Sequence, residues 1–216
     1  MAEIIALPYG LLTAVTYLIV LDGQCVLIDP TAPPDRLPAG LPPVRHILAT
    51  HGHFDHIAQA DAWRDLTGAG LSIHTADSDC LTDAKRNLSL WLGDERVFRP
   101  ADILFNGQES LRLDSQCRLD VWHTPGHTAG SCCLLLREGG RPVALFSGDT
   151  LFAGSVGRTD LGGDARLLQA SLRQLVAWCE KHGFTWQEDL PVYPGHGTKT
   201  GLFQEQQQNP FLRNLS

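Results

Sequence analysis

Apolar residues along the chain fall in short runs bounded by Gly, Pro and Asp, a pattern that predicts strands. Two opening strands are read at roughly Glu3 to Leu7 and Thr13 to Leu21, separated by Pro8 and Gly10. Further strands are read at Gln24 to Asp29, His46 to Thr50, Leu71 to Thr75, Ile103 to Phe105, Leu111 to Leu113, Arg118 to His123, Ser131 to Arg137, Pro142 to Ser147 and Pro191 to Tyr193. Helical spacing appears from about His56 to Leu66, from Ala165 to His182 and, more faintly, from Thr200 to Gln208. The second of these has a well-formed start. Asp164 offers a capping carboxylate ahead of Leu167, Leu168, Leu172, Leu175 and Val176 on one stripe. The polar stretch from Ala76 to Pro100, with Trp91 and Phe98, has no clean period and reads as a loop with some helix, of the kind that often covers a site.

Many strands with a few helices between them predict an α/β layered domain whose sheets are covered by helices. No repeat or low-complexity segment divides it, so residues 1–216 are expected to form a single domain. The uncharged stretch between Glu3 and Asp22 raises the question of a membrane span or leader. Pro8 and Gly10 cut it to strand lengths, and no Lys or Arg precedes Arg36, so no membrane association and a cytoplasmic location are expected.

Charge and cysteine content narrow the picture further. The 17 basic residues against 24 acidic give a formal net charge of −7, which argues against a phosphate-neutralising surface and hence against a nucleic-acid partner. The six Cys include no C-x-x-C pair, so buried reduced thiols are expected rather than a disulfide framework.

The chemistry lies in the nine His. Thr50-His51-Gly52-His53-Phe54-Asp55-His56 stands where a strand ends and a helix begins. On extended backbone His51, His53 and Asp55 would turn toward one point, with His56 opening the next helix. Imidazole and carboxylate donors suit zinc or iron(II) better than calcium. Three more turns each present one donor beside glycine: Thr124-Pro125-Gly126-His127, Ser147-Gly148-Asp149-Thr150 and Tyr193-Pro194-Gly195-His196-Gly197. Each alone reads equally as a structural turn. Together they bring the set to five His and two Asp, too many for one tetrahedral ion and suited to two ions with a shared carboxylate.

These residues resemble the metallo-β-lactamase superfamily, whose H-x-H-x-D-H motif is met in full at His51 to His56. The resemblance implies an αβ/βα four-layer sandwich. It also implies that His51, His53 and His127 hold one metal, Asp55, His56 and His196 a second, and that Asp149 bridges. Asp at 149 sets the chain apart from β-lactamases with Cys in the second site. Gly148-Asp149-Thr150-Leu151-Phe152, Gly154-Ser155-Val156-Gly157-Arg158-Thr159-Asp160, Asn87-Leu88-Ser89, Thr200, Glu205 and Asn209-Pro210-Phe211 are similar to compact glyoxalase II-like hydrolases. The chain ends soon after Asn209-Pro210, where longer glyoxalase II enzymes continue into a glutathione-gripping helical domain.

The resemblance implies two divalent metal ions about 3.5 Å apart, zinc first, with iron or manganese as alternatives. A hydroxide between them, oriented by Asp55, would attack the carbonyl of a glutathione thioester such as S-D-lactoylglutathione. The thiolate, with a pKa near 8.5, would leave without a general acid. Glutathione carboxylates call for cationic donors, and Arg158 and then Lys199 are the candidates, ahead of Lys85 and Arg86. Trp91 or Phe98 would serve as an apolar wall or as core. His123 is a candidate for orienting a ligand, and no catalytic role falls to His46, His74 or His182.

One rival is a persulfide dioxygenase, with a single iron(II) on His51, His127 and Asp149. His196 within Gly-His-Gly, followed by Thr200 and Glu205, favours the hydrolase. A non-catalytic metal-stabilised module fits less well, because structural zinc sites are closed by four protein ligands. Lactone or phosphodiester hydrolysis remains open on the same scaffold.

Overall fold

A computed structural model describes residues 2–10, 12–213 and 215. The chain divides into two compact units, Met1–Asn106 and Gly107–Ser216, each built on one six-stranded sheet.

In the first unit β1 (Glu3–Tyr9), β2 (Ala14–Leu21) and β3 (Gln24–Ile28) form an antiparallel meander. It is followed by β4 (Val44–Leu48), β5 (Leu71–His74) and β6 (Ile103–Phe105), which pair in parallel in the order β1-β2-β3-β4-β5-β6. The helices α1 (Phe54–Ile57) and α2 (Ala60–Thr67) lie between β4 and β5. Leu18, Leu27, Ile47, Ile57, Trp63, Leu71 and Ile73 make the core of this half and are fully buried. The central strands β2 and β3 read as nearly continuous apolar runs because they are buried on both faces.

The second unit contains β7 (Ser110–Arg112), β8 (Cys117–His123), β9 (Cys132–Glu138) and β10 (Arg141–Gly148) as an antiparallel meander. A small hairpin of β11 (Leu151–Phe152) and β12 (Ser155–Val156) follows. After α3 (Ala165–His182) the chain returns as β13 (Pro191–Pro194), parallel to β10, then β14 (Thr200–Gly201) and α4 (Leu202–Gln208). The Asp164 carboxylate accepts from the backbone N–H groups of Arg166 and Leu167, and Gly183 closes α3 in the left-handed region. Leu168, Leu172, Leu175 and Val176 are the buried stripe of α3, packed with Leu135, Leu145 and Val192.

Two predicted helices differ in detail. The stretch from His56 to Leu66 splits into α1 and α2, because the Gln59 N–H donates to the Pro30 carbonyl (2.8 Å) instead of continuing the first helix. Thr200 and Gly201 belong to a short strand, and the last helix starts at Leu202. The 76–100 stretch carries two 3-10 turns, Thr75–Leu81 and Ser89–Leu92. Phe98 is buried in the first core and Trp91 is 74% exposed. All six Cys are buried and none is joined in a disulfide. Among the described residues no helix is long and apolar enough to cross a membrane.

Candidate metal centre

The predicted ligands stand at the carboxyl ends of strands. In the first unit His51 follows β4 by three residues, His53 caps α1, and Asp55 and His56 lie in its first turn. Asp55 is thus on helical rather than extended backbone: the Phe54 N–H donates to the Asn87 carbonyl (2.7 Å), and the helix starts at Phe54, two residues earlier than the sequence pattern implies. The imidazoles are close: ring centroids of His51 and His53 are 4.8 Å apart, and those of His51 and His56 are 4.1 Å apart. His51, His53 and His56 are buried and Asp55 is partly exposed.

Asp29, one residue beyond β3, organises this cluster and was not singled out from the sequence. Its carboxylate accepts from the Thr50 N–H (2.7 Å) and the Thr50 hydroxyl (2.8 Å), and lies 2.8 Å from His56 Nδ1. A carboxylate accepting the Nδ1 proton leaves the lone pair of His56 on Nε2, the nitrogen then able to take a metal. Thr16 anchors the same turn: its hydroxyl donates to the Asp29 carbonyl and accepts from Thr31 and Ala32. Buried Asp77 accepts from the Gly52 N–H (2.9 Å), and a β-carbon at Gly52 would overlap Cys80, so a side chain there has no room. The only sequence signals for Asp29 and Asp77 are a carboxylate at a strand end before Pro30 and one in an otherwise unpatterned turn.

In the second unit His127 follows β8, Asp149 directly follows β10 and His196 follows β13. His127 Nδ1 lies 2.7 Å from the Arg158 carbonyl, which can only accept, so Nδ1 carries the proton and Nε2 the lone pair. One Asp149 oxygen lies 3.4 Å from His127 Nε2 and 3.5 Å from His196 Nε2. These spacings exceed the roughly 2.7–2.9 Å of a charge-assisted hydrogen bond. They match the roughly 3.3–3.4 Å between two donors each about 2.05 Å from one tetrahedral ion. The donor set, the tautomer and the spacing all fit a divalent cation.

Close packing fixes these loops. A β-carbon at Gly157 would overlap the Asp149 carbonyl oxygen and come within 3.1 Å of His127 Nδ1. The Gly195 N–H donates to the Gly148 carbonyl (2.8 Å), tying the His196 turn to the Asp149 turn. Buried Glu205 accepts from Gly154 N–H, the Thr200 hydroxyl and the Asn209 amide, and Asn209 also donates to Ser155 O, so this polar group pins the β11–β12 hairpin after Asp149.

Residues 9–178 match the Metallo-beta-lactamase superfamily. The chain belongs to that superfamily. Relatives within reach include a probable metallo-hydrolase, YqgX, of Bacillus subtilis, 35% identical over 97% of both chains. The hydroxyacylglutathione hydrolase GloC of Haemophilus influenzae is 31% identical over 90% of both. Among solved structures, the BLEG-1 B3 metallo-beta-lactamase is 34% identical with a TM-score of 0.82, covering 97% of this chain and 99% of its own. TTHA1623, solved in a di-iron-bound form, is 32% identical with a TM-score of 0.77, covering 96% and 100%. The chain therefore has the superfamily's α/β fold.

The remaining predicted residues are placed as follows. Arg158 is exposed and its guanidinium grips Asp160 with two contacts of 2.6 Å, while its carbonyl holds His127. Lys199 is exposed, with Nζ 5.0 Å from the Tyr193 ring centroid. His123 Nε2 donates to the Ala129 carbonyl (2.8 Å), bracing the turn that carries His127. His74 Nδ1 accepts from the Ala76 N–H and His182 Nδ1 lies against the Trp178 carbonyl, so both are used structurally.

Proposed function

We propose that the protein is a thioester hydrolase that cleaves S-D-lactoylglutathione or a related acyl-glutathione to a 2-hydroxy acid and glutathione. Two divalent cations, zinc or alternatively iron or manganese, would be held by His51, His53 and His127 and by Asp55, His56 and His196, with Asp149 shared. Residues 1–216 are proposed to serve as one functional domain. The observation that carries the metal assignment is the placing of one Asp149 oxygen 3.4 and 3.5 Å from two imidazole nitrogens.

Bound cations supply hydroxide near neutral pH and polarise a carbonyl. The chain's own residues supply orientation. Asp29 and the Arg158 carbonyl hold His56 and His127 by Nδ1, presenting Nε2 of each. Asp55, whose carboxylate lies 3.8 Å from His56 Nε2, is the proposed residue that orients the attacking water. A thiolate leaving group, with a pKa near 8.5 against about 16 for water, needs no acid from the protein. Likeness to the enzyme named GloC supports a glutathione thioester as the substrate. Arg158 and Lys199 are proposed to meet its carboxylates, Arg158 by exchanging Asp160 for the substrate.

The test is metal analysis per chain alongside hydrolysis of S-lactoylglutathione, hydrolysis of a β-lactam, and oxygen uptake with glutathione persulfide. Two metals with thioester turnover are expected. One iron with oxygen consumption and no hydrolysis, or β-lactam turnover without thioester turnover, would overturn the reading.

A further inference from the structure

A groove of about 460 Å³ in the first unit is lined by Tyr9, Leu12 and Phe54 along its apolar walls and by Asp55, Asp94 and Arg96. That volume suits a small organic ligand, and its mixture of apolar wall with a few charged groups is the usual make-up of such sites. Asp55, a proposed metal ligand, is one of its lining residues.

Arg96 is held as if its position matters. Its backbone N–H donates to the Ser89 hydroxyl (3.1 Å), and its carbonyl accepts from that hydroxyl (3.1 Å) and from the Asn87 amide (3.0 Å). Asn87 and Ser89 are both fully buried. The Asn87 carbonyl in turn accepts the Phe54 N–H that opens α1, so one buried polar group fixes both the Asp55 helix and the Arg96 backbone. The guanidinium carbon of Arg96 lies 5.5 Å from the Phe54 ring centroid, a stacking that orients the planar fork. Asp94 takes the Nε edge at 2.8 Å, while both side chains stay about half exposed. The result is a cation and an anion side by side at the rim of an apolar groove. That pair is complementary to an α-amino acid head, whose carboxylate fits the terminal nitrogens of Arg96 as a fork and whose ammonium fits Asp94.

We propose that Arg96 and Asp94 are specificity-determining residues that bind the free α-amino acid head of a γ-glutamyl thiol, with the thioester end running along the groove toward Asp55. The proposal rests on the thioester reading and sharpens it: the γ-glutamyl carboxylate goes to Arg96, only the glycine carboxylate is left to Arg158 and Lys199, and carriers without an amino acid head, such as pantetheine thiols, would bind weakly here. It also assigns the segment 87–96 a purpose that its lack of periodicity concealed.

The test is calorimetric binding of two unhydrolysable probes, S-hexylglutathione and S-hexylcysteinylglycine, which lacks the γ-glutamyl head, to the full-length metal-loaded protein and to Arg96→Met and Asp94→Asn. Wild type is expected to prefer S-hexylglutathione at least tenfold, and each variant to lose most of that preference while binding the truncated probe as wild type does. Because Asp94 lies at the surface, its variant keeps the test alive if Arg96→Met folds poorly. No preference in wild type, or an equal loss for both probes, would overturn the proposal. Loss of preference in the variants without any S-lactoylglutathione hydrolysis would leave the proposal standing and overturn the thioester reading instead.

Discussion

The carboxylate of Asp29 lies 2.8 Å from His56 Nδ1, with both side chains buried and 27 residues apart in sequence. Asp29 sits at φ 52°, a region where Asn is as well tolerated as Asp. Asp29→Asn thus removes the charge without changing the backbone. We expect the variant to fold and to bind metal roughly 10–100-fold more weakly, the usual effect of losing an outer carboxylate on a ligating His. A competition titration with a chromophoric chelator measures this, and unchanged affinity would refute the orienting role.

Gly157 is packed against the Asp149 carbonyl and the His127 ring. Gly157→Ala should cost about 1–3 kcal/mol through overpacking and lower metal content together with stability. Gly139→Ala makes the control, since a β-carbon there meets nothing within 4 Å and only its positive φ opposes the change. Metal content of the two purified variants separates a local clash from general strain. Equal loss in both would refute the packing argument.

Trp63 is fully buried and donates from Nε1 to the Ala32 carbonyl (2.8 Å). Trp63→Phe leaves that carbonyl unpaired and should cost about 1–3 kcal/mol. Trp63→Ala adds a cavity and should cost about 3–5 kcal/mol. Urea unfolding of the two variants checks the order, and near-equal costs would mean that the hydrogen bond contributes little.

How far the sequence speaks depends on the range of the interaction that decides each feature. Helix α3 runs over Ala165–His182, as its leucine stripe and the Asp164 cap imply, because a helix of 18 residues is determined by neighbours three and four apart. The proposed donors are marked locally too: five of the seven sit beside glycine, and Asp55 and His56 complete the H-x-H-x-D-H run. By contrast, the break between α1 and α2 depends on Gln59 meeting Pro30, and the ordering of His56 depends on Asp29. No local pattern carries those contacts. The β11–β12 hairpin escapes notice because two-residue strands have no period, and Glu205 and Asn209 hold it from some 50 residues away.

Asp120 gives the acid limb of stability a specific origin. Partial burial opposes its ionisation, but the Ser110 hydroxyl and the Arg137 and Arg118 guanidinium groups outweigh that and hold its pKa below the ordinary carboxylate value. A folded value below the unfolded one means the contribution is fully present above the unfolded pKa, near 4, and is lost as pH falls through the folded value. Asp120→Asn should therefore lower stability by about 1–2 kcal/mol at pH 7 and by little at pH 2–3. Urea midpoints across pH 2–7 test this, and a pH-independent difference would assign the effect to packing.

The thiols offer a readout of the turns proposed to bear metal. Burial pushes Cys80 and Cys179 up to about 12 and Cys133 up to about 11, so thiolate at pH 8 is scarce, on the order of one part in a thousand or less. Native protein should resist a thiol reagent for many minutes, and all six Cys should react in denaturant. Cys133 is the informative one. Its sulfur accepts from Thr124 and donates to the Ser147 carbonyl, the residues that begin the His127 and Asp149 turns. Cys179 shares the apolar core with Cys133 but stands on α3; if a cation draws those two turns together, removing it loosens the turns that Cys133 touches while Cys179 keeps its packing. Chelation is then expected to raise labelling of Cys133 severalfold and leave Cys179 unchanged, as read by mass spectrometry of the labelled peptides. Equal acceleration at both would mean that the whole second unit opens, and no change at either would show that the turns hold their shape without metal.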